Sequence, residues 1–67
     1  MTDRARDRLL DGRPVARRGW RITLYPVRGG WEVCRAHKGG RLTCVRVATQ
    51  EAALAVAAQW WADPSSA

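Results

Sequence analysis

From Trp20 onward the chain alternates. Apolar or β-favouring side chains recur at every second position through Trp20-Arg-Ile-Thr-Leu-Tyr-Pro-Val27, through Trp31-Glu-Val-Cys-Arg-Ala-His37, and through Arg41-Leu-Thr-Cys-Val-Arg-Val47. A period of two sends successive side chains to opposite faces, as a strand does. Arg28-Gly29-Gly30 and Lys38-Gly39-Gly40 separate the three runs, and glycine accepts the positive φ that tight turns require. The pattern predicts a three-stranded antiparallel meander. Pro26 cannot donate to a ladder, which puts the first strand at an edge.

The period then becomes helical. Thr49 stands as N-cap with Glu51 in the first turn, and an alanine-rich segment runs from Gln50 to about Ala62, where Asp63-Pro64 ends it. Ala53, Leu54, Ala57, Trp60 and Trp61 share one face at 100° per residue, which reads as a core stripe. Residues 2–11 have the signals of a short helix, with Thr2 or Asp3 as N-cap and Gly12 beyond its end. Leu9 and Leu10 are its main apolar residues, Gly12-Arg13-Pro14 breaks it, and so short a helix is marginal alone. The expected fold is therefore α+β: a basic N-terminal arm or frayed helix over residues 1–18, a β-β-β-α domain over 19–63, and a tail over 64–67.

Three-residue turns at both hairpins give a consistent register. Val27 then faces Trp31, Tyr25 faces Val33, Glu32 faces Arg46 and Cys34 faces Cys44. One face of the sheet would hold Trp20, Ile22, Leu24, Pro26, Cys34, Ala36, Leu42 and Cys44. The other would hold Arg21, Thr23, Tyr25, Trp31, Val33, Arg35, His37, Arg41, Val45 and Val47. A single helix covers one of them. Covering the first leaves a cationic, aromatic face suited to phosphates and bases; covering the second leaves a long apolar surface that calls for another chain.

Charge sharpens the functional reading. Residues 1–18 carry six arginines against Asp3, Asp7 and Asp11, residues 19–47 carry a net +5, and residues 48–67 carry −2, within a total of +6. Eleven of the twelve cations are arginine, which favours forked contacts to phosphate or carboxylate. No apolar run approaches the ~20 residues of a membrane span. The first residues do not read as a secretory signal, so a reducing, cytoplasmic setting with both cysteines as thiols is expected. Cys34, Cys44 and His37 lack a fourth ligand and a C-x-x-C spacing, so no metal or other cofactor is expected. No carboxylate pair in an apolar setting, Ser-His-Asp set or phosphate-cradling loop is present. A non-enzymatic binding protein is the expectation.

Pro26, Gly29-Gly30-Trp31-Glu32-Val33 and Thr49-Gln50-Glu51-Ala52-Ala53 together resemble a family of small uncharacterised bacterial proteins with a Gly-Gly-Trp-x-Val hairpin, over about 40 residues. That resemblance implies a β-β-β-α fold and no known activity. More distantly, the segment looks like the arm-binding domains of phage integrases and the DNA-binding domains of plant ethylene-response factors. These set a three-stranded sheet, backed by one helix, in the major groove. In those domains the positions of Trp31, Val33 and Val47 are core, and this chain lacks their usual aromatic before the capping threonine.

The leading expectation is a small DNA-binding protein. Its nucleic-acid contacts would come from Arg21, Arg35, Arg41, Tyr25 and His37 on the sheet and from Arg13, Arg17 and Arg18 in the arm, with Arg4, Arg6 and Arg8 adding phosphate contacts. The alternative is a homodimeric interaction module or adaptor of phage or plasmid origin, with an acidic protein as partner. A membrane partner is not expected, since no basic amphipathic helix with bulky apolar residues is present.

Overall fold

A computed structural model describes residues 1–65. The elements run α1 (Asp3–Leu10), β1 (Val15–Arg17), β2 (Trp20–Val27), β3 (Gly30–His37), β4 (Leu42–Val47) and α2 (Gln50–Ala62). The strands form one antiparallel sheet in the order β1-β2-β3-β4, and both helices lie on the same face. The class is α+β as expected, with one more strand and one more packed helix than the pattern predicts.

The N-terminal segment is part of the domain and not an arm. Thr2 caps α1, its hydroxyl accepting from the Ala5 N–H at 3.1 Å, and Ala5 and Leu9 are buried in the common core. Docking stabilises a helix that would be marginal in isolation. Chain reversal at Arg18-Gly19 then adds β1 to β2, with both turn residues at positive φ (51° and 81°), the requirement of a type I′ hairpin. Pro26 thus lies on an interior strand. It is tolerated at the end of β2, beyond the reach of three-residue β1.

The second hairpin has the predicted register, with Trp31 opposite Val47, Glu32 opposite Arg46, Val33 opposite Val45 and Cys34 opposite Cys44. The first does not. Its loop is only Arg28-Gly29, so Val27 pairs with Gly30, Tyr25 with Glu32 and Leu24 with Val33. A shift of one residue exchanges the two faces of β2 relative to β3. The covered face therefore combines Val15, Ile22, Leu24 and Val33 with the flanking Trp31 and Val47, and the helices add Leu9, Ala53, Ala57 and Trp60. Leu9, Ile22, Leu24 and Val33 are fully buried, each worth ~1.5–3 kcal/mol relative to exposure.

Helix α2 matches its prediction closely. Thr49 Oγ1 accepts from Ala52 N–H at 3.1 Å, Asp63 ends the helix, and the predicted stripe packs on the sheet, with Leu54 and Trp61 at its margins. Small Ala53 and Ala57, both fully buried, let the helix axis approach the strands closely. The open face carries Ala16, Arg21, Thr23, Tyr25, Glu32, Cys34, Ala36, Leu42, Cys44 and Arg46, as the cross-strand partners require. Cys34 and Cys44 share this face, and they are joined as a disulfide and not held as thiols. The pair sits at a close, non-hydrogen-bonded position with Cα atoms 4.1 Å apart. Pro64, expected in a tail, is buried; Ser66 and Ala67, the rest of that tail, lie outside the described residues.

Candidate nucleic-acid interface

Two turns meet at one end of the sheet. The Lys38 N–H donates to the Gly19 carbonyl at 3.2 Å, which ties the β3–β4 loop to the β1–β2 turn. Trp20 and His37 pack edge to face with ring centroids 4.8 Å apart, and the Gly39 N–H donates to His37 Nδ1. The register alone accounts for this convergence, because Trp20 and His37 are opposite each other and Arg17 is opposite Trp20. Arg18, Arg21, His37, Lys38 and Arg41 are all exposed here. Among the described residues the one ion pair is Arg46–Glu32 at 3.3 Å, so these cations have no carboxylate partner.

Arg35 and Arg17 take a different part. The register places Arg35 beside Ile22, under α2 and not on the open face. It is only 7 % exposed, and its Nη1 donates to the Pro64 carbonyl at 2.7 Å. Its guanidinium carbon lies 4.7 Å from the Trp60 ring centroid and 5.3 Å from that of Trp20. Arg17 stacks on Trp61 at 4.8 Å. The Nε of each is buried without a hydrogen-bond partner among the described residues, and cation–π attraction offsets part of that cost. These two arginines hold the end of α2 to the sheet. The expectation that both are free to grip phosphate overlooked this, since one sequence gives no sign that three tryptophans gather around them.

Tyr25 is on the open face but at the far end, away from the cationic turns. Its hydroxyl donates to Glu32 Oε1 at 2.5 Å and lies 3.5 Å from Cys34 Sγ. This bond holds the Glu32 carboxyl below its ordinary range and pushes the Tyr25 phenol up; Arg46 further favours the Glu32 anion. Arg13 is exposed just past α1, where its N–H donates to the Arg8 carbonyl at 2.9 Å.

Two clefts flank Arg21. One, of about 450 Å³, is lined by Trp20, Arg21, His37 and Lys38. The other, of about 430 Å³, lies between α1, β1 and the end of α2, where Arg4 and Arg8 join Arg21 and Trp61. Trp61, which the sequence favours as part of the core stripe over a ligand-binding aromatic pair, is half-buried and lines this second cleft. The chain matches no family model, no curated protein and no solved structure. No helix among the described residues is long and apolar enough to cross a membrane.

Proposed function

We propose that this protein binds nucleic acid through the cationic end of its sheet. The observation that carries the reading is the tie between Lys38 N–H and the Gly19 carbonyl. With that tie, Arg18, Arg21, Lys38 and Arg41 gather from separate strands and loops at one end of the sheet, exposed and with no carboxylate paired to them among the described residues. Gathering like charges without counter-charges is unfavourable in itself, and a polyanion relieves it while releasing counterions. Contacts of this kind give affinity and orientation and little sequence discrimination.

The test is anisotropy of labelled duplex DNA, single-stranded DNA and RNA over a range of salt. Arg21→Ala, Lys38→Ala and Arg41→Ala combined should cut binding strongly and lower the slope of log affinity against log salt by roughly two to three. Arg35 and Arg17 are left in place because they hold the fold. A wild-type protein that ignores all three nucleic acids at low salt overturns the reading.

A second reading, self-association, rests on a separate observation. Among the described residues strand β4 pairs only with β3, and every residue of it except Val47 is exposed. His37 N–H donates to the Arg41 carbonyl, so by strand alternation Leu42, Cys44 and Arg46 turn their backbone groups outward. Antiparallel pairing with a second copy would place Leu42 opposite the partner's Arg46, with no arginine facing another. Leu42→Lys should then shift a sedimenting dimer to monomer; a wild-type monomer up to millimolar concentration overturns this reading.

A further inference from the structure

The cleft between α1, β1 and Trp61 is a second concentration of positive charge, and its walls differ from those of the sheet end. Arg4 and Arg8 stand one turn apart on α1, and Arg21 reaches the same space from β2. Like charges four residues apart destabilise a helix, and none of the three is paired with a carboxylate among the described residues. Arg8 is already oriented: its Nε and Nη2 both donate to the Pro14 carbonyl at 3.3 Å, which leaves Nη1 free. The remaining wall is apolar, formed by Ala5, Val15 and the half-buried Trp61 ring. Arg17 lies on that ring.

We propose that this cleft binds a single unpaired nucleotide, with its phosphate on Arg4, Arg8 and Arg21 and its base against Trp61. Three guanidiniums more than neutralise a phosphomonoester and offer forked donors to its three acceptor oxygens. An aromatic wall beside them suits a base, since every base has a π-face to stack. The size, about 430 Å³, falls in the range of ligand pockets, roughly 300–1,000 Å³. A carboxylate ligand would use the arginines but would leave Trp61 unused. The assignment rests on the nucleic-acid reading only in making the nucleotide the 5′-phosphorylated end of a strand, with the strand's other phosphates on the turns; the cleft itself takes a mononucleotide.

Calorimetry with adenosine 5′-monophosphate, inorganic phosphate and adenosine as separate probes tests it. One mononucleotide should bind per chain, about tenfold more tightly than inorganic phosphate because stacking adds to charge. Trp61→Leu should bring the two affinities together, and Arg4→Ala should weaken both. Arg4 is exposed and makes no side-chain hydrogen bond or ion pair among the described residues, so that variant should keep the wild-type circular dichroism and thermal midpoint. Lys38→Ala with Arg41→Ala should leave mononucleotide binding unchanged while weakening polymer binding. Mononucleotide binding without polymer binding would sink the sheet-end reading and keep the cleft. Polymer binding with no mononucleotide bound, with equal affinity for phosphate and nucleotide, or with binding indifferent to Arg4→Ala would overturn the cleft.

Discussion

Arg35 Nη1 lies 2.7 Å from the Pro64 carbonyl oxygen, a buried bond that joins inner strand β3 to a residue two positions beyond the last helix. The bond spans 29 residues of sequence and sits between Trp20 and Trp60. Arg35→Ala leaves that carbonyl without its donor and removes two ring contacts. Losses of about 1.5–3 kcal/mol for a charged hydrogen bond and 0.5–2 for cation–π contact set the scale. We expect a fall of about 2–4 kcal/mol in urea denaturation. Arg35→Lys should recover little, because a point charge cannot fork and stack at once.

At Gly30 the sheet leaves no room for a side chain. A Cβ there would collide with the Val47 carbonyl, and neither backbone can yield without disturbing the β3–β4 ladder. Gly30→Ala should cost ~1–3 kcal/mol, the range for overpacking. Gly29→Ala meets no atom but requires φ of +82°, for a penalty of roughly 1–2 kcal/mol. Denaturation midpoints of the two variants and their double mutant should show both losses.

These two glycines also explain where sequence reading fell short. Both look like turn residues, yet only Gly29 turns the chain, while Gly30 is a strand residue kept small by Val47. The resulting one-residue slip put Arg35 on the wrong face and split the apolar residues of β2 from those of β3. Strand β1 was illegible for another reason: Val15-Ala16-Arg17 is too short to show a period, and Arg18 is an unusual residue at a left-handed turn. The second hairpin and α2 were legible because their signals agree. Glu32 against Arg46 and Cys34 against Cys44 support one register, and Thr49, the alanine stripe and Asp63-Pro64 mark one helix. Arg18, Arg21, His37 and Arg41 are legible as candidate contacts while Lys38 reads only as a turn residue, and their convergence depends on β1, which the pattern does not reveal.

Arg18 holds φ at 51°, a conformation that costs a side chain with a Cβ about 1–2 kcal/mol. Arg18→Gly should relieve that strain, less the added entropy of the unfolded chain, for a net gain of about 0.5 kcal/mol. The same variant removes one exposed cation from the proposed interface. A higher thermal midpoint with weaker DNA binding is the expected pair of results, and a lower midpoint would show that Arg18 makes a stabilising contact.

The Tyr25–Glu32 bond gives a pH dependence with a definite sign. Glu32 has a folded pKa below its ordinary value, chiefly because Tyr25 donates to it and secondarily through Arg46. Its contribution is therefore full above the ordinary carboxylate range and is lost as pH falls through the lowered value. Tyr25 is raised by the same bond, so its contribution is full below the ordinary phenol range and disappears as pH rises through the raised value. Tyr25→Phe should move the Glu32 carboxyl carbon titration, followed by NMR, back toward the ordinary range. An unchanged titration would show that Arg46 alone sets it.

The last prediction concerns the disulfide on the open face. Strand β4 is exposed along most of its length and has its ladder to β3 as its main support, with fewer contacts to α2 than the inner strands have. The Cys34–Cys44 bond closes a loop across ten positions of sequence, which by loop-closure entropy stabilises the fold by about 2–3 kcal/mol. Reduction should lower stability by that amount, with the loss concentrated in β4. Hydrogen exchange should then show Val45 and Val47 amides, which face β3, exchanging faster after reduction, while Ile22, which faces β1, and Thr23, which faces β3, change only as far as global stability does. Cys44→Ser should copy the reduced protein, since Cys44 is exposed and its replacement leaves no cavity. Equal acceleration at all four amides would mean that β4 opens only with the whole domain. In that case the bond acts on global unfolding alone, and the β4 edge is as firmly held as the interior strands.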